Sequence, residues 1–518
     1  MRLTEPAPFL VTSTLAVLSS HALAANVSTL ATKLQAISAE VFPGLKAIAV
    51  DIWNNPEVGL SEHHAHDLVV DYFTSQQPGE WVVTPHAYGM ETAFKLDFEF
   101  RVPAVNPNTP LPVIGFLAEY DALPGIGHAC GHNHIALNGL AAASMVRAAV
   151  VQLGIPARVV VMGTPDEEGE AGKHKLLQAG AFDGVDVWFM AHPTSANAVQ
   201  PMNARINAVA QFRGTQHGDV VRAAYETLVA VRDRAAGGLP GTASSVVAVE
   251  DVGMFASNVV QSRISLGING STLEVVQQTV SSILDSTYPG VTFTAANDCT
   301  GGVNLTTFGP GGHASESTKS PLVLTIETFR ALSSQEGVSF YLPGNASTTA
   351  LDITFDIRSR YTLDLNSVLN VVTSTIGSNA AAIVTDTIYP ALEVTPFLPG
   401  VFIDLLKTDA YGAQTNWGVS SFAPASTDAA WLQNAVVDPT TKALIKADRV
   451  VFHPNFGICA PNGTGPCAFN HEPPFRDVAG TEYSYSRTEI VARALAHVAV
   501  ELLNNKTMMA EATEILGR

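Results

Sequence analysis

The sequence predicts an α/β protein whose mainly parallel sheet is interrupted by two tandem α+β units of ferredoxin-like type. Three observations carry that prediction. Between residues 111 and 192, apolar runs rich in β-branched residues alternate with helical stretches: VIGFLAEY, IALNGLAAASMVRAAVVQL, ARVVVMG, KHKLLQAG and VDVWFMAHP. That alternation is the mark of parallel strands joined by crossover helices. The middle of the chain then runs β-α-β-β-α-β twice, over 205–298 and again over 301–392. From about residue 396 the first style resumes, so one α/β domain is split by an insertion. The predicted divisions are 1–24, 25–203, 204–299, 300–394 and 395–518, in line with a chain too long for a single core.

In chain order, the N-terminus reads as a secretory signal. Arg2 supplies the positive start, FLVTSTLAVL the apolar run, and Ala22 and Ala24 the small residues before a cut at Ala25. Sequons at Asn26, Asn269, Asn304, Asn345, Asn462 and Asn505 fit a secreted glycoprotein. A periodic helix follows, ending near Pro56, then the helix AHDLVVDYFTSQQ and strands over 80–120 around the loop VPAVNPNTPLP. The last segment is expected to hold the helix FLPGVFIDLLKTDAYG, the strand VVFHPNFGI, the loop FNHEPPFR and a closing helix TEIVARALAHVAVELLNN.

A hydrophobic content of 47% with 14% charged residues describes a well-buried protein, and its formal charge is −19. No basic patch is found, which excludes a nucleic-acid partner. The same charge repels anionic membrane surfaces, and no later apolar run is expected to span a bilayer. Cys459 and Cys467 bracket the turn-rich CAPNGTGPC and are expected to pair in an oxidising compartment. Cys299 is left over and expected to be buried and free.

Chemistry concentrates in two loops. EYDALPGIGHACGHNH places His128, Cys130, His132 and His134 between a strand and a helix, and TPDEE places Asp166, Glu167 and Glu168 after the next strand. Both loops leave carboxyl ends of strands, where ligands bind in open α/β sheets. Mixed thiol, imidazole and carboxylate donors suit a borderline divalent metal, zinc or manganese.

The motifs EYDALPGIGHACGHN, GTPDEEGEAGK, FDGVDVWFMAHP, ASTD and NHEPPF together resemble the aminoacylase and carboxypeptidase G family of metallopeptidases. The likeness falls in its amidohydrolase branch, beside aminoacylase-like dipeptidases and p-aminobenzoyl-glutamate hydrolases. The resemblance implies a catalytic α/β domain holding two divalent ions, with the α+β insertion as a lid, and hydrolysis of amide bonds in N-acyl amino acids or small dipeptides. It makes Cys130, His132, Glu168, His192 and His471 metal ligands, Cys130 bridging. Glu167 becomes the general base, and Asp121 the acidic residue that orients a ligand. It implies a lid histidine that reaches the reacting carbonyl. His313 in FGPGGHASESTKSP matches that position better than His217 in FRGTQHGDVV, which is a relic or touches substrate. Asn258, Arg358 and Asp428 are substrate-pocket candidates. His453 lines the pocket or packs beneath it, and His128 and His134 are packing or supporting residues. Two lid units in one chain imply pairing within the chain, delivery of His313 in cis, and a monomer. The rival readings are an exo-acting carboxypeptidase on short peptides and an inactive binding protein of the same fold. A serine hydrolase would need a Gly-x-Ser-x-Gly elbow, which is not found.

Overall fold

The computed structural model describes residues 13–517 apart from 78, 104–105, 107, 237–246, 252–257, 285–289, 300, 314–319, 344–347 and 461–466. The segment 1–12, and with it the start of the expected signal, lies outside the described residues. So do Asn345 and Asn462.

The central sheet runs in the order Val82–Pro85, Phe94–Phe100, Ala157–Gly163, Val113–Ala118, Val187–Phe189, Val450–Phe452. Its last four strands are parallel and its first two antiparallel. Every residue of Val113–Ala118 is buried, as a strand covered by helices on both faces requires. One face carries the helices Ser13–Asn54, His132–Leu153 and Glu482–Asn504. Here Gly139 lets helix and sheet close up, since a Cβ there would stand 2.5 Å from the Leu117 carbonyl. On the other face Trp188, Phe182, Leu176 and Leu432 form a second core. Helix His132–Leu153 is long and apolar enough by composition to cross a bilayer, which corrects the expectation that no later run is. Most of it is buried in the core of this domain.

The inserted region keeps the expected element order but not the expected tandem arrangement. One four-stranded sheet has the order Ala382–Thr385, Ala204–Arg213, Ala350–Ser359, Val247–Asp251, and the other Thr292–Asn297, Val303–Phe308, Arg263–Asn269, Ser339–Tyr341. Each sheet therefore draws two strands from 204–299 and two from 300–394. The halves are exchanged, so the boundary at 299/300 is not a domain boundary. Alternation identifies a strand and its buried face but names no partner. The partner is decided by the continuous ladder from Ala350↔Arg213 to Ser359↔Ala204 and by one core shared between both sheets, including Phe212, Leu228, Leu305, Phe329 and Phe355.

Cys459 and Cys467 form a disulfide with Cα atoms 5.4 Å apart. Cys299 is free but exposed, not buried; it sits in a turn past the end of strand Thr292–Asn297, where no core covers it.

Candidate metal centre and pocket

Three histidines reach one point from three loops, each oriented in the same manner. His132 opens its helix after Gly131, whose φ is 85°; a Cβ there would meet Pro193 Cγ at 2.7 Å. His132 Nδ1–H donates to Asp121 Oδ1 at 2.8 Å. His192 Nδ1–H donates to the Pro193 carbonyl at 2.8 Å, and His471 Nδ1–H to the Asn258 carbonyl at 3.0 Å. Committing Nδ1 in this way leaves each Nε2 as the inward lone pair, the arrangement that prepares imidazole for a metal. Asp121 also accepts the Glu168 amide at 2.9 Å, so one carboxylate positions two of the donors.

The inward atoms converge. Donor atoms of Cys130, His132 and His192 lie within 4.8 Å of one another, as do those of Cys130, Glu168 and His471, and those of His132, Glu167 and Glu168. The Cys130 sulfur belongs to two of these sets, so one thiolate can serve two ions. His132 Nε2 and Glu168 Oε1 are buried without hydrogen-bond partners. Leaving them so is costly, and a divalent cation would satisfy both. The residues present therefore fit a two-ion centre.

Electrostatics separate the two neighbouring carboxylates. Burial raises Glu167 well above its ordinary value, and the charges of Glu168, Glu119 and Asp428 push the same way. Burial opposes ionisation of Glu168 too, but His471, His132 and the Asn258 amide (2.5 Å) hold it well below. Adjacent acids pushed apart in this way are suited to different tasks. Burial, then the His132 charge, lowers His192 to about 4.

The backbone is strained where the site is built. Asp166 and His471 have φ of 65° and 69°, a left-handed conformation that costs a non-glycine residue about 1–3 kcal/mol. Glu62 holds the first in place, accepting the Asp166 amide at 2.9 Å and the Thr92 hydroxyl at 2.8 Å. Beneath the centre lies a buried ion network: Lys173 Nζ stands 2.5 Å from both Glu119 Oε1 and Asp428 Oδ1. Glu119 Oε2 is 3.6 Å from His132 Nε2.

The remaining candidates separate. His313, on a two-residue strand paired with Val259–Val260, has its ring 4.5 Å from that of His471 and lines the pocket. It comes from the same chain. Asn258 touches Glu168 as described. Arg358 is bound to Asp356 at 2.8 Å and 2.9 Å and reaches Ser426 Oγ, on the pocket wall, at 3.2 Å. Asp428 is occupied by Lys173 and does not line the pocket. His453 lies behind His192, with ring centroids 5.9 Å apart, and does not line it either. His217 is not at the site. Its ring bridges the Thr348 carbonyl (2.6 Å) and the Leu342 amide (3.0 Å), clamping the loop that joins the two inserted sheets; the exchange of halves carries it there. His134 is bound by the Ala479 carbonyl and Thr488 Oγ1 at 2.7 and 2.8 Å, a packing role, and His128 is buried.

Sequence reasoning missed Glu119, Lys173, Glu62 and Asn455. Glu119 reads as the end of a strand and Lys173 as an ordinary helix-start lysine. The available signal for both was that they stand inside the two motif loops.

A profile of Peptidase family M20/M25/M40 matches residues 115–455. Xaa-Arg dipeptidase of Homo sapiens is 49% identical over 159 residues, which is 30% of this chain and 36% of that protein. A chain of the p-aminobenzoyl-glutamate hydrolase of Escherichia coli (strain K12) is 29% identical over 183 residues, 32% of this chain and 36% of that protein. The matches thus span about a third of these relatives' length. Among solved structures, an aminohydrolase from methicillin resistant Staphylococcus aureus aligns over 91% of this chain and 99% of its own with TM-score 0.51 and 15% identity, a likeness of fold. With the profile spanning both motif loops and the inserted region, the chain belongs to Peptidase family M20/M25/M40.

Proposed function

We propose that this protein is a metal-dependent amidohydrolase that cleaves the amide bond of N-acyl amino acids or small dipeptides. The observation that carries the reading is the Cys130 sulfur shared by two donor sets, with Glu167 standing beside them. Cys130, His132 and His192 would hold one divalent ion, and Cys130, Glu168 and His471 the other, as zinc or manganese. When bound, such ions supply Lewis acidity toward the amide carbonyl and the attacking water. Glu167 takes a proton from that water as oxygen bonds to the carbonyl carbon, then delivers it to the leaving nitrogen as the C–N bond breaks. His313, held neutral by burial and by the Arg358 charge, donates its ring N–H to the oxyanion. Asp121 and Asn258 hold His132, Glu168 and His471 in place, and Arg358 stiffens the pocket wall through Ser426.

The protein is proposed to be secreted, on the strength of the N-terminal segment and the sequons, which suit the Cys459–Cys467 disulfide. Delivery of His313 within one chain supports a monomer. Dipeptide cleavage is the activity the names of the relatives favour.

The test strips the purified chain of metal, restores zinc or manganese, and follows amine release from a panel of N-acyl amino acids and dipeptides. Metal-dependent turnover, cut by about 10²–10⁴ in Glu167→Gln with metal stoichiometry kept at two, is expected. Turnover that survives metal removal or Glu167→Gln would refute the reading.

A further inference from the structure

The cavity in front of the donor cluster, about 250 Å³, has a polar wall and an apolar wall. On the polar side stands Asn455. It is parallel-paired with His192, so both side chains leave the same face of the small sheet His192–Thr194, Pro454–Gly457, Ala198–Val199. Asn455 is 0% exposed, and neither its Oδ1 nor its Nδ2 has a hydrogen-bond partner. A carboxamide in that state offers one acceptor and two donors, and buried polar groups are rarely left without a use. On the apolar side the cavity meets Ala198, Met202, Phe422, Pro424 and Phe469. Two of these are large apolar groups held open to solvent, Phe422 at 66% and Phe469 at 43% exposure. Among the described residues of the lining, the only carboxylates are Glu167 and Glu168, both in the donor cluster. None faces the apolar wall to pair with a cationic side chain.

We propose that Asn455 anchors the substrate through its carboxamide, and that the opposing wall seats an uncharged, apolar side chain. The substrates would then be N-acyl amino acids or dipeptides with residues such as leucine or phenylalanine, and not the arginine in the name of the Xaa-Arg relatives. This rests on the amidohydrolase reading of the same site. Burying an apolar side chain of that size favours it over an exposed one by roughly ten- to a hundredfold.

The experiment uses the full-length zinc-loaded chain and two readouts. The first compares kcat/KM for N-acetyl-leucine, N-acetyl-phenylalanine and N-acetyl-arginine, in the parent and in Phe422→Asp. The parent is expected to prefer the apolar pair by about tenfold or more, and Phe422→Asp to narrow that ratio toward arginine. The second measures, by calorimetry, binding of free leucine, phenylalanine and arginine to the zinc-loaded parent and Asn455→Leu, and the thermal midpoint of both proteins without ligand. Asn455→Leu is expected to weaken leucine binding about tenfold while leaving the midpoint unchanged or higher, because an unpartnered amide is replaced by a group of similar size. A lowered midpoint with unchanged binding would make Asn455 a structural residue and overturn its role. Equal or better turnover or binding of the arginine compounds would overturn the apolar assignment. Apolar binding without any hydrolysis would support the pocket assignment and count against the amidohydrolase reading alone.

Discussion

Lys173 is the clearest single perturbation. Its ammonium is fully buried between two fully buried carboxylates, at 2.5 Å from Glu119 and 2.5 Å from Asp428. Burial would strip its charge, but Asp428 and Glu119 hold its pKa above the ordinary lysine value. Lys173→Met removes the cation and keeps most of the packing volume, so the loss isolates the ion network. Removing one partner of a buried pair costs about 3–5 kcal/mol, because the other charge is left uncompensated. Here two carboxylates lose the same partner, so the upper half of that range is expected. Asp428 still accepts the Lys173 backbone amide at 2.8 Å, which keeps the cost from doubling. With a slope of about 3 kcal/mol/M, the urea midpoint of the metal-free protein should fall by about 1 M or more. Adding Glu119→Gln to Lys173→Met should recover part of the loss, as groups in one network are not additive. A loss below about 1 kcal/mol, or no recovery in the double variant, would refute the account of Lys173 as the counter-charge of both acids.

Other outcomes follow from the same geometry. His313→Ala should lower kcat by about 10²–10³ with bound-metal content unchanged, measured by turnover alongside metal analysis. His217→Ala should cost about 1–2 kcal/mol in urea unfolding, having lost both loop contacts, while kcat stays at the parent value; a collapse of kcat would return His217 to the site. Burial, aided by the Asp121 charge, lifts Glu62 from 4.5 to about 8, so the folded chain holds this proton more tightly than the unfolded chain. The stability it contributes is full below about pH 4.5 and is lost as pH rises through about 8. Urea midpoints of the metal-free protein between about pH 5 and 8 should therefore slope downward, and Glu62→Gln should flatten the slope.

Much of the site was legible because its residues crowd into short stretches. Cys130 and His132 share one loop and Glu167 and Glu168 another, and strand-helix alternation alone puts both loops at the carboxyl end of a parallel sheet. The order of secondary elements through the inserted region was legible for the same reason: periodicity is a local property of the chain. What the sequence could not decide was pairing. Strands 204–213 and 350–359 carry the same alternation whichever partner they take. Only burial of both inserted sheets in one core selects the crossed arrangement, which places His313 at the centre and His217 away from it. Lys173 and Asn455 were hidden for a related reason. A lysine or asparagine in sequence reads as solvated, and its meaning comes from what long-range packing encloses it with: Asp428 for the first, the face of His192 for the second. Local pattern determined which groups this chain carries and on which elements; tertiary packing decided which of them lost their water and so had to find each other.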